Sequence, residues 1–282
     1  MILVTGATGT VGRGVVAALK ATGAPFRVGS RSEAKARTLG VPVVEFDWDR
    51  PATVGPAFAG AERLFLLAPV SNRLAEYGAT AAAAAKQAGV RRVVWLSAIG
   101  AEAERPLMLP GFHREAERAI ERTGISWTFL RANSFMQNFV NYYGVDPFKN
   151  CPVYLPHGQG GASWIDTRDV GEVAARALTE TGHDQKAYTL TGGEAVSTAD
   201  AIAILGEALG REYQYRDVPE AAAGEAMRSH GAPEWLIDAL AQLNSDIKHG
   251  RARAVTPAVR EVIGRPPRTF RQYAEDLAAG RA

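Results

Sequence analysis

Gly6, Gly9 and Gly12, spaced three apart, are the first residues in the chain whose types could do chemistry. They sit in Thr5-Gly6-Ala7-Thr8-Gly9-Thr10-Val11-Gly12, between an apolar run at residues 2–4 and a helical apolar pattern through Val11, Val15, Val16, Ala18 and Leu19. Glycine serves where a backbone must bend sharply or approach a ligand closely. The helix that follows offers unpaired N–H groups and a positive dipole end to a phosphate. The spacing, Gly-x-x-Gly-x-x-Gly, departs from the common dinucleotide fingerprint Gly-x-Gly-x-x-Gly, so the strand before and the helix after carry the inference. Strand, glycine turn and helix together predict a nucleotide site.

A dinucleotide has a second end, and the second predicted strand, residues 26–30, bears on it. An Asp or Glu at that strand's end would accept hydrogen bonds from a ribose 2′-OH and repel a 2′-phosphate. Here the residues are Gly29-Ser30-Arg31-Ser32, with no acid. Arg31 can offer a planar fork to a phosphate, Ser30 a hydroxyl, and Lys35 would share a helical face with Arg31. The pattern predicts NADP(H) in preference to NAD(H), against the plainer alternative that Arg31 and Lys35 are solvated helix charges. Asp47, just past the third strand, is placed to reach the adenine amine or, equally, to cap the helix beginning near Pro51.

Other chemistries leave no pattern. The five histidines, His113, His157, His183, His230 and His249, lack the spacing of a zinc site, so no metal is expected. There is no Gly-x-Ser-x-Gly elbow and no lysine-bearing phosphate loop. Basic and acidic residues nearly balance at 32 and 30. The arginines at 251, 253, 260, 265, 268 and 271 are interspersed with helix signals, so nucleic acid is not an expected partner. Cys151 is the only cysteine, which fits a reducing compartment. No basic leader precedes the first strand, and the alanine-rich tract at residues 79–85 is far short of the roughly 20 residues that span a bilayer. A soluble cytoplasmic protein is expected, a monomer or homodimer acting on a small molecule without membrane attachment.

The elements that must position these residues alternate. Strands are predicted at 26–30, 41–46, 63–67, 92–97 and 127–131, and helices at 33–38, 51–58, 74–88 and 111–122. That rhythm needs parallel β-α-β units, since a parallel connection crosses over in a dozen residues or more. The fold class expected is α/β: a doubly wound parallel-sheet Rossmann fold with a smaller C-terminal α/β substrate lobe. The Rossmann domain is assigned to residues 1–134, with 167–192 returning to it, and the lobe to 135–166 and 193–282. Beyond Asn133 the rhythm loosens, with aromatics at 135, 139, 142, 143 and 148 and an irregular Pro/Gly stretch at 152–161. Later helices are expected at 166–179, 221–228, 233–243 and 258–263, the last associated with a capping box at Thr269 and Gln272, and a strand at 188–191. Another box at Ser197 and Asp200 precedes a helix at 202–209.

Several of these segments carry a resemblance. The opening glycine turn, Gly29-Ser30-Arg31, Phe46-Asp47, Phe65-Leu66-Leu67-Ala68-Pro69 and Leu130-Arg131-Ala132-Asn133-Ser134-Phe135-Met136-Gln137-Asn138 resemble the NmrA-like group of atypical short-chain dehydrogenase/reductases, nearest its quinone oxidoreductase-like members. Trp164-Ile165-Asp166-Thr167-Arg168-Asp169-Val170 and the ending Gly264-Arg265-Pro266-Pro267-Arg268-Thr269-Phe270 extend it over most of the chain. The resemblance implies cofactor contacts at Gly6, Thr8, Gly9, Thr10, Val11, Gly12, Ser30, Arg31, Lys35, Asp47, Ala68 and Pro69. It says little of substrate, because the group includes reductases and also cofactor-sensing regulators.

The usual short-chain reductase keeps a tyrosine poised with a lysine four residues later. No tyrosine here has one, and the corresponding helix reads Gly111-Phe112-His113-Arg114-Glu115-Ala116-Glu117. His113 is its only side chain titrating near neutrality, and is a substrate or cofactor contact, a proton donor, or structural. Ser97 occupies the place of the superfamily's catalytic hydroxyl, or else bonds local backbone at a strand end. Without the tyrosine, a quinone is the best physical match. Hydride addition to it leaves a phenolate whose conjugate acid titrates near pH 10, whereas a ketone's alkoxide demands a proton far more strongly. Asn133, Phe135, Phe139, Tyr142, Tyr143 and Trp164 are the candidate substrate contacts. Their rings could stack on a flat acceptor, and a plain hydrophobic core would look the same. The expected function is NADPH-dependent hydride transfer to a quinone or similar conjugated or carbonyl compound; the alternative is an NADP(H)-binding redox sensor.

Overall fold

In a computed structural model that describes residues 1–281, the opening apolar run forms β1 (Ile2–Val4), buried at every residue. The chain continues through α1 (Thr10–Thr22), β2 (Phe26–Ser30), α2 (Glu33–Arg37), β3 (Val43–Glu45) and α3 (Val54–Phe58). Next come β4 (Arg63–Leu66), α4 (Leu74–Gln87), β5 (Arg92–Ala98), α5 (Met108–Glu121) and β6 (Ser126–Ala132). Then follow α6 (Asn138–Asn141), β7 (Cys151–Leu155), β8 (Gly161–Ala162), α7 (Thr167–Thr179), β9 (Lys186–Leu190) and β10 (Val196–Ser197). The last elements are α8 (Thr198–Leu209), β11 (Tyr213–Asp217), α9 (Glu220–Ser229), α10 (Glu234–Lys248), α11 (Ala258–Ile263) and α12 (Phe270–Ala278).

Two units emerge. The first comprises Met1–Ala132 with Thr167–Thr189, the second Asn133–Asp166 with the chain from Leu190 on. The first holds a seven-stranded sheet in the order β3-β2-β1-β4-β5-β6-β9, and the pairs from β3 through β6 are all parallel. The order reverses between β1 and β4, the switch point beside which open α/β sheets take ligands at their carboxyl ends. The expected doubly wound fold is therefore present. Strands buried on both faces need continuous aliphatic or aromatic residues, and Leu64, Phe65 and Leu66 of β4 are 0% exposed.

The alanine run of α4 exists to be thin. Ala81, Ala82 and Ala85 are buried, and a Cβ at Gly78 would lie 2.3 Å from that of Ala116 on α5. The two helices cross almost backbone to backbone, so the run packs against a helix of its own unit.

The second unit has its own core, in which Phe139, Trp164, Ile202, Leu205, Phe270 and Tyr273 meet. Three expectations change here. Residues 152–161 are not wholly irregular: β7 pairs in parallel with β11, Pro152 opposite Gln214, and β8 pairs antiparallel with β10. Pro152 disguises the strand, and it is tolerated because β7 pairs with one strand only. The box at Thr269 and Gln272 caps α12, the helix after it, and has no part in α11. Finally, α5 begins at Met108, earlier than residue 111, with Pro110 in its first turn where a missing N–H costs nothing.

Candidate cofactor and catalytic site

The glycine turn leaves the carboxyl end of β1 under tight steric control. Gly6 has φ +64°, and a Cβ at Gly12 would sit 2.0 Å from the Gly6 carbonyl oxygen. Only glycine lets α1 start against the turn. Gly9 caps α1 without a side-chain hydrogen bond, and no acid occupies the first turn. In contrast, Ser197 and Thr269 cap α8 and α12 with their hydroxyls. An N-terminus left without side-chain capping or negative charge suits a pyrophosphate. Val11 is buried and so can offer a ligand only its backbone, whereas Thr8 is half-buried and Thr10 exposed. Thr5 is fully buried, and its Oγ1 accepts a 2.9 Å bond from the Leu67 N–H, tying the turn to the residue after β4.

At the end of β2, Arg31 and Lys35 are exposed, and neither side chain has a hydrogen bond or ion pair among the described residues. Glu33, the acid nearest in sequence, is engaged by Arg37 at 2.7 Å. Two cations without acidic partners fit a 2′-phosphate. Ser30 does less than expected as a donor: its hydroxyl donates to the Ser32 carbonyl at 3.0 Å, shaping the loop. Ser32 caps α2.

Asp47 does not cap the Pro51 turn. Its Oδ1 accepts from the Asp49 N–H at 3.0 Å, and Arg50 holds the cap position. The loops after β3 and β4 are clamped together: Trp48 Nε1 donates to the Leu67 carbonyl at 3.0 Å, Tyr77 Oη donates to Asp49 at 2.6 Å, and Arg73 pairs with Asp49 at 3.0 Å. Ala68, half-buried, packs on the core beside this clamp, and Pro69 is exposed.

Further along the carboxyl edge lies a buried charge cluster. Ser97 on β5 stands in register with Arg131 on β6, and Glu117 of α5, 0% exposed, closes over both. Ser97 Oγ donates to Glu117 Oε1 at 2.7 Å; Arg131 donates to both carboxylate oxygens at 3.0 and 2.7 Å, and Arg114 to Oε2 at 3.0 Å. The Glu117 hydrogen bond holds the Arg131 guanidinium above its ordinary value, against the opposing cost of burial. One signal in the sequence points to Glu117: it stands four residues after His113 on the helix that ordinarily carries Tyr-x-x-x-Lys. Ser97 bonds a side chain distant in sequence, and not local backbone.

His113 is half-buried as a residue, but its Nδ1 is enclosed without a partner. Burial pushes its pKa down to about 4, with Glu117 pulling weakly the other way. Its ring meets Trp95 edge-on at 6.5 Å. At neutral pH the imidazole is uncharged and the Ser97 proton is committed to a carboxylate. This cluster offers no ready acid.

The second unit's candidates separate. Phe139 and Trp164, 0% and 1% exposed, are core residues packed edge-on at 5.0 Å, so the stacking role expected of them gives way to the hydrophobic core. Tyr143 packs edge-on against Phe139 at 5.3 Å, and burial pushes its phenol up to about 12. Asn133 is fully engaged: its amide donates to Ser163 and to the Ala252 carbonyl, and its oxygen accepts from the Ser134 N–H. It ties loops together and has no donor left for a substrate. Phe135 is half-buried and Tyr142 is 79% exposed, which leaves their rings with open surface. Among the described residues no group of three or more His, Cys, Asp or Glu could hold a metal ion, and no helix is long and apolar enough to cross a membrane.

The sequence profile of the NmrA-like family matches residues 1–247. The chain is 37% identical to an NAD(P)H azoreductase of Xenophilus azovorans, over 99% of this chain and 98% of that one. It is 34% identical to a (4-alkanoyl-5-oxo-2,5-dihydrofuran-3-yl)methyl phosphate reductase of Streptomyces griseus, with the same coverage. Among solved structures, an NADPH complex of the NADPH-dependent quinone oxidoreductase 2 of Escherichia coli superposes with a TM-score of 0.84 at 29% identity, covering 98% of this chain and 99% of that one.

Proposed function

The chain belongs to the NmrA-like family, and from that premise we propose that it is an NADPH-dependent reductase that delivers hydride to a conjugated acceptor, a quinone first among them. The observation that carries the reading is the absence of a ready acid around Ser97: its proton is held by Glu117 and His113 is neutral. Bound NADPH supplies the hydride. The protein's part is to seat the pyrophosphate on the Gly6–Gly12 turn and the 2′-phosphate against Arg31 and Lys35. A quinone that gains hydride becomes a phenolate-type anion, whose conjugate acid titrates near pH 10 and which takes its proton from water. An alkoxide from a simple ketone has a conjugate acid several pKa units weaker, each unit worth about 1.4 kcal/mol of missing assistance. The azo, unsaturated-lactone and quinone substrates in the names of its relatives share conjugated unsaturation.

The test is NADPH consumption by the purified protein over quinones, azo dyes, enones and simple ketones. Turnover confined to the conjugated acceptors is the expected result. Tight NADPH binding with no turnover on any of them sinks the reductase reading and leaves the redox sensor. We infer a cytoplasmic setting from the single cysteine, and small-molecule rather than nucleic-acid partners from the balanced charge; light scattering tests the expectation of a monomer or homodimer.

A further inference from the structure

We propose that Arg13, the fourth residue of α1, joins Arg31 and Lys35 as a ligand of the cofactor's 2′-phosphate and so helps to select NADPH over NADH. This rests on the NADPH seat described above and not on the hydride step. A side chain on an α-helix leans toward the helix N-terminus. That of Arg13 runs back over the glycine turn until its Nε donates to the Thr8 carbonyl at 3.1 Å. Arg13 is exposed, and among the described residues its Nη groups meet no carboxylate and no other acceptor. The position is a costly one for a cation, because the N-terminal end of a helix carries positive partial charge and α1 has no acid in its first turn to offset it. An anion bound beside the turn removes that cost.

Which anion it meets follows from where the tie to Thr8 leads. The pyrophosphate takes the N–H groups at the start of α1, beyond its cap Gly9. Thr8 precedes Gly9, so the tie draws the guanidinium off the helix end to the β1 side of the turn. There β1 and β2 run parallel with Val4 opposite Val28, and the same register continued past the strand ends sets Gly6 level with Ser30. The turn therefore leaves the sheet beside the loop that carries Arg31 and Lys35. Acids that could compete for these cations are taken: Arg37 holds Glu33, and Arg50 holds Glu45, the residue opposite Ser30 on β3, each at 2.7 Å. A phosphate monoester carries a charge of about −2 at neutral pH on three acceptor oxygens, enough for several cations, and the 2′-hydroxyl of NADH offers neither. With Nε engaged, the Nη pair of Arg13 is a fork held ready for such a group.

Fluorescence titration of wild type, Arg13→Gln and Arg13→Lys with NADPH and with NADH tests this. Arg13→Gln is expected to weaken NADPH about 5- to 10-fold, the loss of charge-assisted hydrogen bonds at an exposed site, and to change NADH by less than about 2-fold. Arg13→Lys keeps the charge but neither the tie nor the fork, and should fall between the two. Calorimetry with adenosine 2′,5′-bisphosphate and with 5′-AMP, both of which lack the pyrophosphate, should show the same split. The urea midpoint of cofactor-free Arg13→Gln should equal or exceed that of wild type, because a cation leaves the positive end of α1. Unchanged NADPH affinity in Arg13→Gln overturns the proposal. So does an equal loss for both cofactors, whether it places Arg13 at the pyrophosphate or comes with a lowered midpoint that marks the arginine as structural. If the NADPH-specific loss is found but wild type reduces no acceptor, the reductase reading fails and the role of Arg13 stands; turnover of quinones with an unaltered cofactor preference in Arg13→Gln sinks this proposal alone.

Discussion

Arg31 and Lys35 are the residues on which we propose cofactor preference turns, since both lie exposed beside the loop after β2 without an acidic partner among the described residues. Arg31→Ala is expected to weaken NADPH about 10-fold or more, the loss of a charge-assisted hydrogen bond at an exposed site, and to leave NADH nearly unchanged. Fluorescence titration with both cofactors measures this, and an equal loss for the two would reassign Arg31 to a solvated charge. His113 makes a second residue-level prediction. With its pKa near 4, it is neutral across the physiological range, so kcat for a quinone should show no ionisation between about pH 5.5 and 8. A fall in kcat through pH 6.5 that disappears in His113→Gln would make His113 the proton donor after all.

Elements constrain one another most tightly where α4 crosses α5. Gly78→Ala gains up to about 1 kcal/mol of helix propensity, yet its methyl would stand 2.3 Å from the Ala116 methyl. Forcing the helices apart costs about 1–3 kcal/mol, as overpacking does elsewhere. Because α5 also carries Glu117 and His113, a shift there should disturb the Ser97 cluster as well. A lowered urea midpoint together with a lowered kcat is the expected outcome, and a more stable, fully active Gly78→Ala would show that the crossing yields easily. The clamp of Trp48, Asp49, Arg73 and Tyr77 acts at the same scale, holding two loops side by side at the carboxyl edge of the sheet.

At the scale of the whole molecule, neutral histidines couple stability to pH. Burial lowers the pKa of His113 and His183 in the first unit and of His157 in the second. His157 is held there between Thr198 and Asn244, at 3.0 Å from each. A histidine whose folded pKa lies below its unfolded value binds fewer protons folded than unfolded, so its contribution is complete above about pH 6.5 and is lost as pH falls towards the folded value. For His113 that loss is at most about 3 kcal/mol by pH 4. Urea midpoints should be level between pH 7 and 8 and decline below 6.5; a midpoint that holds to pH 4.5 contradicts this. Ligand linkage acts in the other direction. NADP⁺ at 100 times its Kd adds about 2.7 kcal/mol, raising Tm by roughly 5–10 °C, and NAD⁺ at the same concentration should add less. What the sequence determined by itself was local: the glycine turn, the acid-free end of β2 and the alternation of strands and helices are encoded within a few consecutive residues, so cofactor and fold were legible there. The strand at Cys151–Leu155 was hidden by its proline, and Phe139 and Trp164 read alike as stacking platform or core, because burial depends on partners from distant segments. Only the tertiary structure decided where the Ser97 proton goes, since its acceptor lies 20 residues away and is held by an arginine on a third element.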